Sequence, residues 1–383
     1  MFFYGHLRFL FEVPTIAAAA ASIFRMRTTI LLLILLTLFQ FGYAQEKPLT
    51  QAEYVKMLYA LQKNPAGASA LVDALRRRGI DFALTDGVRG LTRSKSSNNE
   101  EMKRALEEAE RRRQNPEAAK LPSEKEAADV LEKTRLNTLA SIEEMPDFVV
   151  KQIIARSESY AGTGNWRPLD NVVIGVSYSS KKGEQYRVLA INGALVNAET
   201  GSNYAGLNGN TTGGEFVEHL SKLFRPESKT KFEILTTDVL RGHPTLVFNY
   251  EIAIENNVGG GISIKSGGTV SRNYTVSSVP AGQKGKIWVD RANSRVLRIE
   301  FQLTDIPSTF PVKAFDASID YDWVEIAGER FLLPLLADNR FTSTEGTRRF
   351  QDRNLIRFKN YQKYGSEVRV VEEDSAPISD EKP

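Results

Sequence analysis

The sequence predicts an α+β fold: a small all-α module, then one long, curved antiparallel sheet with helices lying over it. Three observations carry this. Between Gly285 and Phe341 apolar residues recur at every second position. Leu297, Ile299, Phe301 and Leu303 alternate with Arg298, Glu300 and Gln302, then Ala317, Ile319, Tyr321 and Trp323 with Ser318, Asp320 and Asp322. That period of two gives each strand an apolar face and a polar, solvent-facing one. Clusters of turn formers such as Asp290–Ser294 (DRANS) separate the strands, whereas the front of the chain carries apolar residues at helical spacing behind capping residues.

The chain has 383 residues, 42% of them hydrophobic, which is room for two or three domains with a real core. Fifty Lys plus Arg against 47 Asp plus Glu leave a net charge of +3. With the basic residues dispersed, no nucleic-acid partner is expected. The absence of cysteine removes disulfides, thiolate chemistry and cysteine-based metal sites.

Met26-Arg27, an apolar run from Ile30 to Phe41 and Gly42-Tyr43-Ala44 read as a secretory signal over residues 1–44, cleaved after Ala44. The apolar core falls short of the ~20 residues a comfortable span needs. A periplasmic or secreted protein is therefore expected, with an uncleaved inner-membrane anchor as the alternative. Residues 1–25 read as a misassigned start, with Met26 the true one.

Residues 45–92 form the small helical module. Thr50-Gln-Ala-Glu53 is a capping box ahead of Tyr54, Leu58 and Leu61. Asn64-Pro65 starts a second helix with Ala68, Leu71, Val72 and Leu75, which Gly79 ends, and Thr85 caps a third turn. The stretch ALVDALRRRGIDFALTDGVRGL resembles a small helical module at the front of many secreted or envelope proteins. Arg76, Arg77 and Arg78 read as a solvated helix end. Residues 93–122 read as a charged helical linker, with an exposed helix from Glu100 to Gln114 laced by Glu107–Arg111 and Glu108–Arg112 pairs.

The sheet domain is expected over 123–365. Ser123-x-x-Glu126 opens a helix with Val130, Leu131, Leu139 and Ile142, and Pro146 stops it before the strand at Phe148. Strands follow at Val172–Tyr178, Tyr186–Ile191, Phe232–Ile234, Leu246–Ile254, Tyr274–Val276 and Ile287–Val289, and the meander closes near Ile356–Tyr361. One amphipathic helix, Glu215–Phe224, interrupts the sheet. Residues 366–383 read as a disordered acidic tail.

Chemical motifs are sparse. His219 lies on the polar flank of that inserted helix and His243 in a turn before proline, and no metal-ligand spacing joins them. Asp316, Asp320 and Asp322 have the spacing of a carboxylate cluster, yet the polar side of any strand has it too. No GxSxG elbow or phosphate-cradling loop occurs. The apolar face remains: a curved sheet under one or two helices either encloses a ligand cavity or fills with its own side chains.

The segments GKIWVDRANSRVLRIE and DYDWVEIAGERFLLP, with W-V-D-x-x-x-x-R-V-L-R-I-E and F-L-L-P their most specific parts, carry a resemblance. Residues 123–365 are similar to the outer-membrane lipoprotein-sorting (LolA-like) superfamily. The resemblance implies an incomplete, strongly curved antiparallel β-barrel with helices across its open side, working as a periplasmic carrier whose greasy interior shelters acyl chains. The expected function is an exported, non-enzymatic protein holding a lipid or other hydrophobic ligand, without cofactor or metal. Phe216, Leu220, Phe248, Tyr250, Trp288, Phe301, Tyr321, Trp323 and Phe331 are the candidate lining residues. The alternative is an envelope scaffold with a filled barrel that recruits a protein partner. A secreted hydrolase using Asp320 and Asp322 ranks third.

Overall fold

Capping residues start the helices where the sequence places them. The computed structural model describes residues 47–160, 163–197, 204, 207, 210–264 and 277–364. The expected signal, the Tyr274–Val276 strand and the tail lie outside these residues. Thr50 Oγ1 accepts from the Glu53 amide and opens α1 (Gln51–Leu61). Helix α2 (Ala68–Arg78) ends at Gly79, whose φ of 70° suits glycine. Thr85 caps α3 (Asp86–Lys95), Asn99 caps α4 (Glu100–Gln114) and Ser123 caps α5 (Glu124–Glu143). Among the described residues no helix is long and apolar enough to cross a membrane.

From Phe148 the chain is almost all strand: β1 (Phe148–Tyr160), β2 (Arg167–Ser179), β3 (Gly183–Ile191) and β4 (Ala194–Leu195). After α6 (Glu218–Phe224) come β5 (Lys231–Leu240), β6 (His243–Ile252), β7 (Gly261–Ile264), β8 (Ser277–Pro280), β9 (Gly282–Asp290) and β10 (Val296–Thr304). The long strands β11 (Val312–Ile326), β12 (Glu329–Glu345) and β13 (Arg348–Lys363) follow. Eleven of them make one antiparallel sheet in the order β4-β3-β2-β1-β13-β12-β11-β10-β9-β6-β5, while β7 and β8 pair apart. Among the described residues the first and last strands of the order do not pair, so the barrel is incomplete.

The sheet must curve strongly, and α6 shows why. Phe216, just before it, packs on Phe148 of β1 at 5.3 Å and Phe358 of β13 at 5.4 Å, while Phe224 at its end stacks on Phe232 of β5 at 5.6 Å. Strands β1 and β5 are seven places apart in the order; laid flat they would be separated by ~34 Å at strand spacing. A helical stretch of that length spans only about 12 Å. The sheet therefore wraps the helix. Gly285 makes close strand approach feasible, since a Cβ there would stand 1.9 Å from the Glu300 carbonyl oxygen.

Helices cover both sides. Ala127 and Val130 of α5 join Phe216, Leu220, Leu223 and Phe224 in one core with the inner face. Helices α1 to α4 share a second core around Leu49, Tyr54, Leu58, Leu75, Met102 and Ala109, and dock on the outer face. Three of the sequence expectations differ from the structure. The stretch Glu100–Gln114 is no exposed helix: Met102, Ala105, Leu106, Glu108, Ala109, Glu110 and Arg112 are all buried. Its apolar stripe serves the helical core, and a parallel stripe of charge at the same helical period (Glu101, Arg104, Glu108, Arg111) faces the sheet. Glu107 and Glu108 accordingly pair with Arg89 and Arg76, not with the arginines four residues on. Arg76, expected in solvent, is 1% exposed.

Candidate functional site

Alternation along the strands delivers the expected apolar residues to one inner core, but leaves little surface free within it. Tyr321, Phe216, Phe248, Tyr250, Phe301 and Leu220 belong to that core and expose between 0% and 7% of their surface. Phe331 is half-buried against it beside its cross-strand neighbour Val324. The phenols are tied down as well: Tyr250 accepts from Gln283 Nε2 at 2.7 Å, and Tyr321 donates to the Glu215 carbonyl at 3.1 Å. Burial pushes both phenol pKa values well above the ordinary tyrosine value. His219 packs on Phe301 at 4.8 Å, and burial lowers it to about 4, so it is a neutral ring in the core wall.

Two of the nine candidates lie elsewhere. Trp288 is fully buried on the outer face, with Leu240, Val247 and Leu297. The register explains it: Trp288 pairs with Arg298 and Gly285 with Phe301, so Trp288 and Phe301 point to opposite faces. Trp323 is 36% exposed, with the Arg330 guanidinium 5.5 Å from its ring centre. The β11–β12 register shifts between Asp320 and Tyr321, and beyond the shift Val324 and Ile326 reach the core in its place.

One polar knot sits inside the apolar core. Glu215 is 1% exposed, and burial together with the nearby Glu184 charge pushes its carboxyl up to about 7, although Thr212 and Asn339 hydrogen bond to it. Its Oε2 has no hydrogen-bond partner among the described residues. Glu184 is raised by burial too, while its carboxylate accepts from Tyr186 and from the Gly214 amide. Gln152, fully buried on β1, has no partner for either amide atom among the described residues.

The outer face was expected in solvent and is instead a buried electrostatic seam. Arg76 reaches Glu101 at 2.8 Å, Glu108 at 3.0 Å and Glu300 of β10 at 3.8 Å. Burial works against its charge, but Glu108, Glu300 and Glu101 hold it protonated. Arg111 grips Asp238 of β5 through two bonds of 3.0 and 2.9 Å, and Trp288 Nε1 donates to the same carboxylate at 3.1 Å. Asp320 is 1% exposed and receives Arg298 at 2.5 Å and Arg241 at 3.4 Å. Arg340 and Arg353 outweigh burial at Asp338 and hold that carboxyl well below the ordinary range. Asp320 is thus committed to structural pairing, while Asp322 meets Arg241 at 3.6 Å. Among the described residues no cluster has metal-ligand composition. His243 Nδ1 meets Asp290 at 3.0 Å in the hairpin turn.

Where the seam opens there is a cleft of about 630 Å3, lined by Ser94–Glu101 and Arg104 at the junction of α3 and α4, by Gly164 and Trp166, and by Lys284, Lys286, Glu300, Gln302, Asp316 and Arg340 of the sheet. This is the site that strand reasoning missed. The signal was present in the polar half of the alternation, but it is also the pattern of an ordinary solvent face.

No family model and no curated protein matches the chain. Among solved structures it is similar to a domain of the outer membrane lipoprotein-sorting type from Vibrio parahaemolyticus, with 10% identity, 63% of this chain and 94% of that one covered, and a TM-score of 0.31. It is also similar to a DUF1329 family protein from Desulfovibrio piger, with 8% identity, 62% and 95% covered, and a TM-score of 0.28. A third is the MucA/MucB complex of Pseudomonas aeruginosa, with 10% identity, 59% and 93% covered, and a TM-score of 0.18.

Proposed function

We propose that the chain is a non-enzymatic binding protein of the cell envelope whose curved sheet is a self-filled scaffold, and whose partner is recognised on the outer side, at the seam between helices and sheet. The observation that carries this is the near-zero exposure of Tyr321, Phe216, Phe248 and Tyr250 in a core closed by α6. A carrier needs a void lined by such residues; here they line one another. The envelope setting rests on the signal-like stretch before Gln45.

A second reading, a carrier of a hydrophobic ligand, is favoured by one observation. Inside the core the Gln152 amide and Glu215 Oε2 lack partners among the described residues, and the polar end of a ligand would satisfy them. Solvent extraction and mass spectrometry of protein purified from the periplasm separate the two. The scaffold reading predicts lipid far below one molecule per chain; a single lipid class near one per chain would establish the carrier.

A further inference from the structure

We infer that the cleft at the open end of the seam binds a polar polypeptide segment in the polyproline II conformation, carrying one acidic and one basic side chain three residues apart. This names the partner chemistry of the scaffold reading and rests on it. The lining argues against a simple polyanion or polycation, because five basic side chains face four acidic ones. Most of these charges are already engaged: Lys286 meets Glu101 at 3.6 Å, Arg104 meets Glu300 at 3.4 Å, and Arg340 holds Asp338 at 2.7 Å. On the sheet floor Lys284 and Asp316 are exposed and make no ion pair within 4 Å among the described residues, although Arg340 lies across from Asp316 on β12.

Register sets the distance between these two. Lys284 pairs with Gln302 and Gln302 with Asp316, so the three lie in one row across neighbouring strands. Two strand spacings put the Cα atoms of Lys284 and Asp316 ~9.6 Å apart, with the Gln302 amide side chain midway. A polyproline II segment repeats every three residues at ~3.1 Å each, which sets residues i and i+3 on one side ~9.3 Å apart. In a β-strand i and i+3 point to opposite sides, so an extended strand does not fit the row. The acidic side chain would meet Lys284, the basic one Asp316, and a backbone group between them Gln302. Trp166 supplies the aromatic wall that such segments dock on, steadied by the Arg353 guanidinium 5.7 Å from its ring centre. On the other wall Ser97 and Asn98 both adopt left-handed φ, of 52° and 57°, held by Asn98 bonding the Gly164 carbonyl and Lys103. Consecutive outliers of this kind persist where surrounding contacts over-determine the backbone.

The test is fluorescence anisotropy on the full chain with labelled peptides containing Glu-Pro-Pro-Lys, Glu-Pro-Pro-Glu, Lys-Pro-Pro-Lys or Ser-Pro-Pro-Ser. Wild type is expected to bind the first at least tenfold more tightly than the rest. Lys284→Glu is expected to move the preference to the doubly basic peptide, and Asp316→Lys to the doubly acidic one. Both side chains are exposed, so a retained melting temperature separates lost recognition from lost folding. Equal affinity for all four peptides, or a preference that neither substitution moves, would overturn the inference. Lipid extraction of the same preparation reports on the filled interior independently, so failure of the peptide site and failure of the scaffold reading are told apart.

Discussion

Replacing Glu215 by glutamine should make the protein more stable at pH 8 and leave it nearly unchanged at pH 4. The carboxyl is 1% exposed, has an oxygen without a partner, and is pushed up from 4.5 to about 7 by burial and by Glu184. A raised carboxyl pKa means the folded chain keeps a proton that the unfolded chain has released. Stability therefore falls as pH rises from the unfolded value near 4.5, and levels off above about 7. At 1.36 kcal/mol per pKa unit the loss comes to about 3 kcal/mol once both states are ionised. Glutamine is close in shape and carries no charge, so Glu215→Gln removes that loss. Paired urea unfolding at pH 4 and pH 8 measures it, with wild type and variant converging at pH 4 and separating by about 3 kcal/mol at pH 8. Neighbouring Glu184, raised in the same direction, leaves the variant with some of the same slope. An offset equal at both pH values would show that the side chain acts through packing alone and refute the reasoning.

Two further substitutions probe the layers on either side of the sheet. Phe216→Ala removes a ring packed against Phe148, Phe358 and Tyr361. It should cost ~3–5 kcal/mol in urea unfolding, as expected for a filled core, whereas a cost below ~1 kcal/mol would mean the ring faces open space. Arg76→Ala strands Glu108 without its cation in the seam, for a loss of ~3–5 kcal/mol. Adding Glu108→Gln should recover at least ~1 kcal/mol of that, and strict additivity of the two changes would contradict the pairing.

Local signals were legible where local chemistry decides the structure. Thr50, Thr85 and Ser123 cap helices because each hydroxyl meets an amide three residues on. The DRANS hairpin turns where expected because Asp290 Oδ1 accepts from the Ala292 and Asn293 amides. Parity was harder to read. Trp288 and Phe301 both look like lining residues, and only the register Trp288–Arg298 shows that they face opposite ways. The docking of α4 escaped because its cause is distant in sequence: the Arg111–Asp238 contact joins residues 127 apart. A charged stripe on a helix reads as solvated until its complement on a strand is known. Arg298, Glu300 and Asp320 read as a wet face for the same reason, yet all three are buried beneath that helix layer or within its rim. The cleft arises only from the way the two layers meet, so no single segment announces it.

The most direct test of a filled interior is titration of a fluorescent fatty acid into purified, delipidated protein. A filled interior predicts no saturable binding, because Phe248, Tyr250 and Tyr321 already occupy the inside of the sheet. Saturable uptake of one probe per chain, abolished by a bulky substitution on the inner face, would contradict it.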